Sequence, residues 1–207
     1  MITNFESAKK YIRFKRAHKE ESLCGAGSWK AQAGDARDFI QGAINKYRFE
    51  TILDLGCGDW NWMEEIDFKG AQYLGIDCDD QMIQDNSSKY GSDQIKFQVG
   101  DIFSIELPEA DLVICRDVLF HVRQELSSSL IEKLKTRNRL FFISTSFNQQ
   151  TTNHEPRPYC KIEDWGFYRI NLLQDPFNLQ EKLIDHGIQR LYVGDTYCPC
   201  DCVVFCV

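Results

Sequence analysis

The chain has 207 residues, a net charge of −7, 43% hydrophobic and 27% charged residues. That length suits one domain with a full core and argues against a second. The acidic balance disfavours a nucleic-acid partner, because such proteins present a basic surface to phosphates. No apolar run approaches the ~20 residues of a membrane span, and Lys9, Lys10, Arg13, Lys15 and Arg16 interrupt the N-terminal apolar stretches. A secretory signal does not tolerate that pattern, so the expectation is a cytoplasmic protein.

Helical spacing runs over 5–20 and 34–47, the second marked by Phe39, Ala43 and Tyr47. The basic cluster Lys9 to Lys19, offset by Glu20 and Glu21, reads as a solvated helix face. Between the two helices lies a glycine loop, Leu23-Cys24-Gly25-Ala26-Gly27-Ser28-Trp29. From residue 51 onward, strands are predicted near 51–55, 72–77, 95–99, 111–115 and 139–145, with helices near 60–67, 79–89 and 122–136. Strands separated by helices imply right-handed crossovers and a parallel sheet covered on both faces. The stretch from Ser146 to Pro176 breaks the rhythm with three prolines and the aromatics Tyr159, Trp165, Phe167 and Tyr168. A loop that long inside a compact domain is usually functional. Asn178 then predicts the start of a helix reaching about Asp185, with Gly187 as its stop. Residues 188–193 and 202–207 predict two final antiparallel strands.

The most informative stretch is Thr51-Ile52-Leu53-Asp54-Leu55-Gly56-Cys57-Gly58-Asp59. It reads as a buried strand running into a turn whose glycines leave the backbone bare. Such a turn lets a nucleotide-like ligand lie at the carboxyl edge of a parallel sheet. The second strand, Gln72 to Asp77, ends in an acid 23 residues after Asp54. An acid about 20 residues beyond the glycine turn is where a ribose hydroxyl pair is held.

With the later strands, this pattern resembles the class I S-adenosylmethionine-dependent methyltransferases. Asp54-Leu55-Gly56-Cys57-Gly58 matches their acid-x-Gly-x-Gly turn, Asp77 their ribose-binding acid, and Gly100-Asp101-Ile102 the segment that holds adenine. Asp111-Leu112-Val113-Ile114-Cys115-Arg116-Asp117 matches the fourth strand and its exit into the active site. The likeness spans roughly residues 50 to 207. One departure is Trp60, where many members carry a third glycine. The resemblance implies a Rossmann-like α/β fold with a mostly parallel seven-stranded sheet, an antiparallel last strand and helices on both faces. It further implies a cofactor-binding catalytic domain over 49–207, with 1–48 as helices and a loop capping the site. S-adenosyl-L-methionine is the implied cofactor, bound by Asp54, Gly56, Cys57, Gly58, Asp77, Cys78, Asp101, Ile102 and Arg116.

Methyl transfer to a hydroxyl needs a base near the exit of the fourth strand. Asp117 and His121, four residues apart, would share one face of a helix there, with the acid orienting the imidazole. The competing reading makes Asp117 a helix cap and His121 a packing residue. Of the paired indoles Trp60 and Trp62, one is expected in the core and the other beside the substrate. Ser28 and Trp29 are candidates for a lid against the alternative of a plain connection. Tyr168 and Arg169 offer a hydroxyl and a charged fork over the pocket, suited to an anionic substrate group, with a surface ion pair as the alternative. Residues Trp165 to Leu179 are also similar to a bacterial subgroup encoded with surface-polysaccharide genes.

Nine cysteines in scattered positions read as reduced thiols rather than disulfides. Cys198-Pro199-Cys200-Asp201-Cys202 lacks the second knuckle of a zinc site, so no metal is expected. The leading reading is O-methylation of a sugar, sugar-derived or phosphorylated small molecule. A module that binds S-adenosylmethionine or a partner without catalysis is the alternative. A nicotinamide-dependent oxidoreductase is disfavoured, since Asn61 stands where its turn needs Gly or Ala.

Overall fold

The computed structural model describes residues 12–13, 16, 20–137, 140–149, 153, 169–193 and 196–207. Among them, seven strands form one sheet in the order β3-β2-β1-β4-β5-β7-β6. These are β1 (Thr51–Leu55), β2 (Gln72–Asp77), β3 (Ile95–Val99), β4 (Leu112–Cys115), β5 (Phe141–Ser146), β6 (Leu183–Val193) and β7 (Thr196–Cys206). The first five pair in parallel, while β7 runs antiparallel to both β5 and β6. The sheet order turns back at β1, which leads outward to β2 on one side and meets β4 on the other. That reversal leaves a crevice at the strands' carboxyl ends.

Alternation along the central strands divides the core into two layers. Ile52, Leu112, Ile114 and Ile143 face one side and pack with Ala33, Ile40, Ala43 and Ile44 of helix α1 (Lys30–Tyr47). Leu53, Leu55, Val113 and Phe142 face the other and pack with Leu130, Ile131 and Leu134 of helix α3 (Gln124–Lys135). Truncating any of the buried leucines, isoleucines or Phe142 among these to alanine costs about 2–5 kcal/mol. Helix α2 (Asp80–Tyr90) starts at Asp79, whose carboxylate accepts from the Met82 amide at 2.8 Å. This is a side-chain cap of the usual kind, and it fixes the chain's exit from β2.

Three expectations are corrected. Residues 60–67 form turns with a single 3-10 turn at Met63–Glu65 rather than a helix. Trp60 adopts φ +57°, which no α-helix accommodates. Residues 178–185 form no α-helix either: Asn178 sits at φ +50°, a single 3-10 turn covers Gln180–Lys182, and β6 begins at Leu183. Pairing with β7 along most of β6 outweighs the local capping signal. Gly187 lies within β6, where a Cβ would stand 2.7 Å from Phe39 Cδ2, so the glycine admits α1 to close packing. Finally, Asp117 and His121 share no α-helix: Asp117 has φ +55° and Leu119–His121 is a 3-10 turn.

The predicted helix over 5–20 lies largely outside the described residues. Within it Ile12, Arg13 and Arg16 are helical and Ile12 is buried. Arg16 is not purely solvated, since its guanidinium pairs with Asp79 at 3.8 Å and Asp85 at 3.5 Å. Among the described residues no helix is long and apolar enough to cross a membrane.

Candidate functional site

The site is built on the turn after β1. Gly56 and Gly58 have φ of +79° and +58°, a region that glycine enters freely. The Gly56 and Cys57 amides both donate to the Ile76 carbonyl, at 2.8 and 3.2 Å, tying the turn to β2. Asp77, at the end of β2, accepts from the Gly58 amide at 3.0 Å and from the Asp79 amide at 3.2 Å. The Asn86 side chain of α2 donates to the Gly58 carbonyl at 2.8 Å. The Cys78 amide and thiol also hydrogen-bond the Asp77 carboxylate. After β3, Gly100 donates to the Asp77 carbonyl at 2.9 Å. Asp101 accepts from the Phe103 amide at 3.1 Å, and Ile102 is buried beside it.

Asp54 is buried at the end of β1 and accepts from the Tyr73 hydroxyl at 2.6 Å. Burial pushes its carboxyl up to about 7; the Tyr73 bond and Arg116 pull down, and Asp77 pushes up. Burial likewise raises Asp77, against the pull of its backbone amide bonds. A raised carboxyl stabilises the fold while protonated, and that contribution is lost as pH rises from near 4 through about 7. Wild type should therefore lose more thermal stability than Asp54→Asn between pH 5 and pH 8, measured without ligand. Parallel curves for the two proteins would mean that Asp54 ionises as an ordinary carboxylate.

The glycine loop lies across this turn. Ser22 Oγ and the Leu23 amide donate to Asp59 at 3.1 and 2.7 Å. Asn61 Nδ2 donates to the Ser28 carbonyl at 3.0 Å and to Glu21 at 2.9 Å. A Cβ on Gly58 would stand 2.5 Å from Cys24 Sγ, so the loop closes directly against the glycine backbone. Burial, then the charges of Asp59 and Asp77, push the Cys24 thiol well up, which keeps it protonated.

At the exit of β4, Arg116 and Asp117 enter a buried polar network. Arg116 Nε donates to Gln189 Oε1 at 3.2 Å, its Nη2 donates to the Gly27 carbonyl at 3.0 Å, and its guanidinium stacks 5.0 Å over the Trp62 ring. Asp117 Oδ1 accepts from Thr145 Oγ1 at 2.6 Å and from Gln189 Nε2 at 3.2 Å. Its Oδ2 lies 2.9 Å from Arg116 Nη2, yet the angles satisfy no hydrogen bond and the atom is buried without one.

Asp54, Gly56, Cys57, Gly58, Asp77 and Asp101 gather along the strand ends, and Arg116 and Asp117 stand beside them. Trp60 is a core residue, correcting its substrate-side assignment: 4% exposed, its ring meets Phe68, Tyr73, Tyr90 and Phe97. Trp62 is the indole nearer the site, beneath Arg116. Trp29 caps α1, and its indole N–H is buried without a hydrogen-bond partner. His121 is partly buried with its ring 4.4 Å from that of Phe120. Arg169 is exposed, while Tyr168 lies outside the described residues. Cys200 and Cys202 are buried; burial and the neighbouring Asp117 push the Cys200 thiol up to about 12. Among the described residues no group of three His, Cys, Asp or Glu side chains is placed to hold a metal ion. Thr145 and Gln189 were missed, because a threonine and an amide inside strands carry no motif.

The comparisons with known proteins agree with this geometry. Residues 53–136 match the methyltransferase domain family. The chain is 23% identical over 146 residues to phosphoethanolamine N-methyltransferase 1 of Arabidopsis thaliana, covering 62% of this chain and 30% of that protein. It is 29% identical over 110 residues to the mitochondrial ubiquinone biosynthesis O-methyltransferase of Schizosaccharomyces pombe, covering 49% and 40%. The chain thus spans less than half the length of these curated relatives. The N-methyltransferase NodS from Bradyrhizobium japonicum, solved with S-adenosylhomocysteine, superposes with a TM-score of 0.69 at 12% identity, covering 99% of this chain and 98% of that one. That likeness establishes the fold.

Proposed function

We propose that this chain, which matches the methyltransferase domain family over residues 53–136 and carries the class I methyltransferase fold, transfers a methyl group from S-adenosylmethionine to a small molecule. The observation that carries the reading is the glycine turn bound by its own backbone amide to Asp77 at the crevice where the sheet order reverses. The residues present fit the cofactor. Buried Asp54 and Asp77 offer acceptors to a ligand carrying hydroxyl and ammonium groups. Asp77 would hold the ribose, Asp101 and Ile102 the adenine, and Asp54 with the glycine turn the methionine end. When bound, the sulfonium supplies the electrophilic methyl carbon. The chain's part is to hold a nucleophile in line with it, which alone accounts for much of the rate.

The acceptor is read as a hydroxyl on a sugar, sugar-derived or phosphorylated molecule, with His121 as general base. The support is the placement of His121 at the β4 exit, together with the subgroup likeness in surface-polysaccharide methyltransferases. The curated relatives bear names of both N- and O-directed enzymes, so the base is what favours oxygen here. Residues 20–29 serve as the lid, latched through Asp59, Asn61 and Arg116. A non-catalytic cofactor-binding module is the competing reading. Incubation with S-adenosylmethionine and a panel of sugar, sugar-phosphate and amine acceptors tests it. Acceptor-dependent formation of S-adenosylhomocysteine supports the enzyme, whereas tight cofactor binding with no turnover on any acceptor favours the module.

A further inference from the structure

The loop that precedes α1 touches both banks of the crevice between β1 and β4, strands that pair side by side in the sheet. On the β1 bank, Asp59 accepts from Ser22 Oγ and the Leu23 amide, and Asn61 donates to the Ser28 carbonyl. On the β4 bank, Arg116 donates to the Gly27 carbonyl. A segment held at both banks crosses the carboxyl ends of both strands and roofs the space between them. Its two halves are anchored differently. Ala26–Ser28 is a 3-10 turn that leads into α1, whose Ala33, Ala36, Ile40 and Ile44 are fully buried. Ser22 to Cys24 is held instead by Asp59 and by the seating of Cys24 Sγ against Gly58. Glu21 adds two exposed bonds, from the Lys30 amide at 2.7 Å and Asn61 at 2.9 Å. Upstream, the ion pairs of Arg16 with Asp79 and Asp85 are half in solvent and hold weakly. Between the halves, Gly25 has φ +93° and ψ −178°, a backbone conformation essentially confined to glycine.

We propose that residues 20–24 form a gate over the crevice that swings about Gly25, with Asp59 as its catch, and that its opening sets the rate at which S-adenosylmethionine enters and S-adenosylhomocysteine leaves. The identity of the ligand rests on the cofactor reading above; the gate rests on the contacts just given. Asp59 suits the catch because one carboxylate takes donors from two consecutive residues, and bonds to a charged acceptor are the stronger kind. Both donors lie in the gate and the acceptor lies on the turn after β1, so opening breaks the pair together. The 3-10 turn and α1 lie beyond the hinge and stay in place. Because the catch joins protein to protein, it favours the closed gate equally with the crevice empty or filled. Its removal therefore speeds entry and exit alike and leaves affinity nearly unchanged. A residue that only supports the bound ligand would speed exit alone.

Amide hydrogen exchange and the binding kinetics of S-adenosylhomocysteine test this on wild type, Asp59→Ala and Gly25→Ala. The second variant frees the gate through the backbone and leaves every charge in place. Peptides covering residues 20–24 should exchange about tenfold faster in both variants, while those covering β1 and β4 keep the wild-type rate. In stopped flow, association and dissociation should both rise by about tenfold, with Kd within about threefold of wild type. Unchanged exchange over residues 20–24 would overturn the proposal. So would faster dissociation at an unchanged association rate, which would make Asp59 a support for bound ligand. Faster exchange in β1 and β4 of both variants would make these residues struts of the fold and also overturn it. Wild type that binds no S-adenosylhomocysteine would overturn the cofactor reading itself, and hydrogen exchange then decides the gate alone.

Discussion

Replacing His121 with alanine should lower turnover by about 10²–10⁴-fold, the usual contribution of a positioned base, while cofactor affinity barely changes. A hydroxyl nucleophile must lose its proton during attack, and the proposal gives that task to His121 after β4. The rate should also fall on acidification, because a protonated imidazole has no lone pair to receive the proton. The structure alters how His121 is supported. Asp117 does not orient it across a helical turn, since its Oδ1 is taken by Thr145 and Gln189 and its Oδ2 lies beside Arg116. The ring instead leans on Phe120 in a 3-10 turn. Turnover measured from pH 5 to 9, once an acceptor is identified, decides the matter. A variant within about threefold of wild type, with the same profile, would mean transfer proceeds without a histidine base, as it does for a neutral amine or an anion.

Asp77→Ala should weaken S-adenosylhomocysteine by roughly 10- to 150-fold, the cost of about 1.5–3 kcal/mol for a buried hydrogen bond to a charged group. Asp77 also anchors the Gly58 amide, so alanine removes a strut of the turn as well as the proposed ribose contact. Asp77→Asn separates the two effects, because its amide oxygen still accepts from Gly58 while the charge is gone. Unchanged affinity in both variants, by calorimetry, would remove Asp77 from the ribose role.

The central sheet was legible in the sequence because β1, β4 and β5 are buried on both faces and read as apolar runs bounded by turn residues. The parallel strands around Leu53, Leu74, Phe97, Val113 and Phe142, and the antiparallel end, stand close to where the pattern placed them. The glycine turn was legible for a different reason: Gly56 and Gly58 sit at positive φ, and the acid after them is tied to their backbone. What escaped the sequence depends on distant parts of the chain. Trp60 turns left-handed because four rings from Phe68, Tyr73, Tyr90 and Phe97 receive its indole. β6 is a strand because β7 pairs with it, against a capping signal that argued for helix. Gln189 and Thr145 meet Asp117 only once the sheet has closed, so spacing along the chain cannot reveal them.

A crystal structure with S-adenosylhomocysteine tests the central claim most directly. It should show the adenosine along the carboxyl ends of β1, β2 and β3, the ribose hydroxyls on Asp77 and the adenine amine at Asp101. The sulfur should lie beneath the loop of residues 22–29. A ligand seated elsewhere, or a ribose that makes no hydrogen bond to Asp77, would contradict the account.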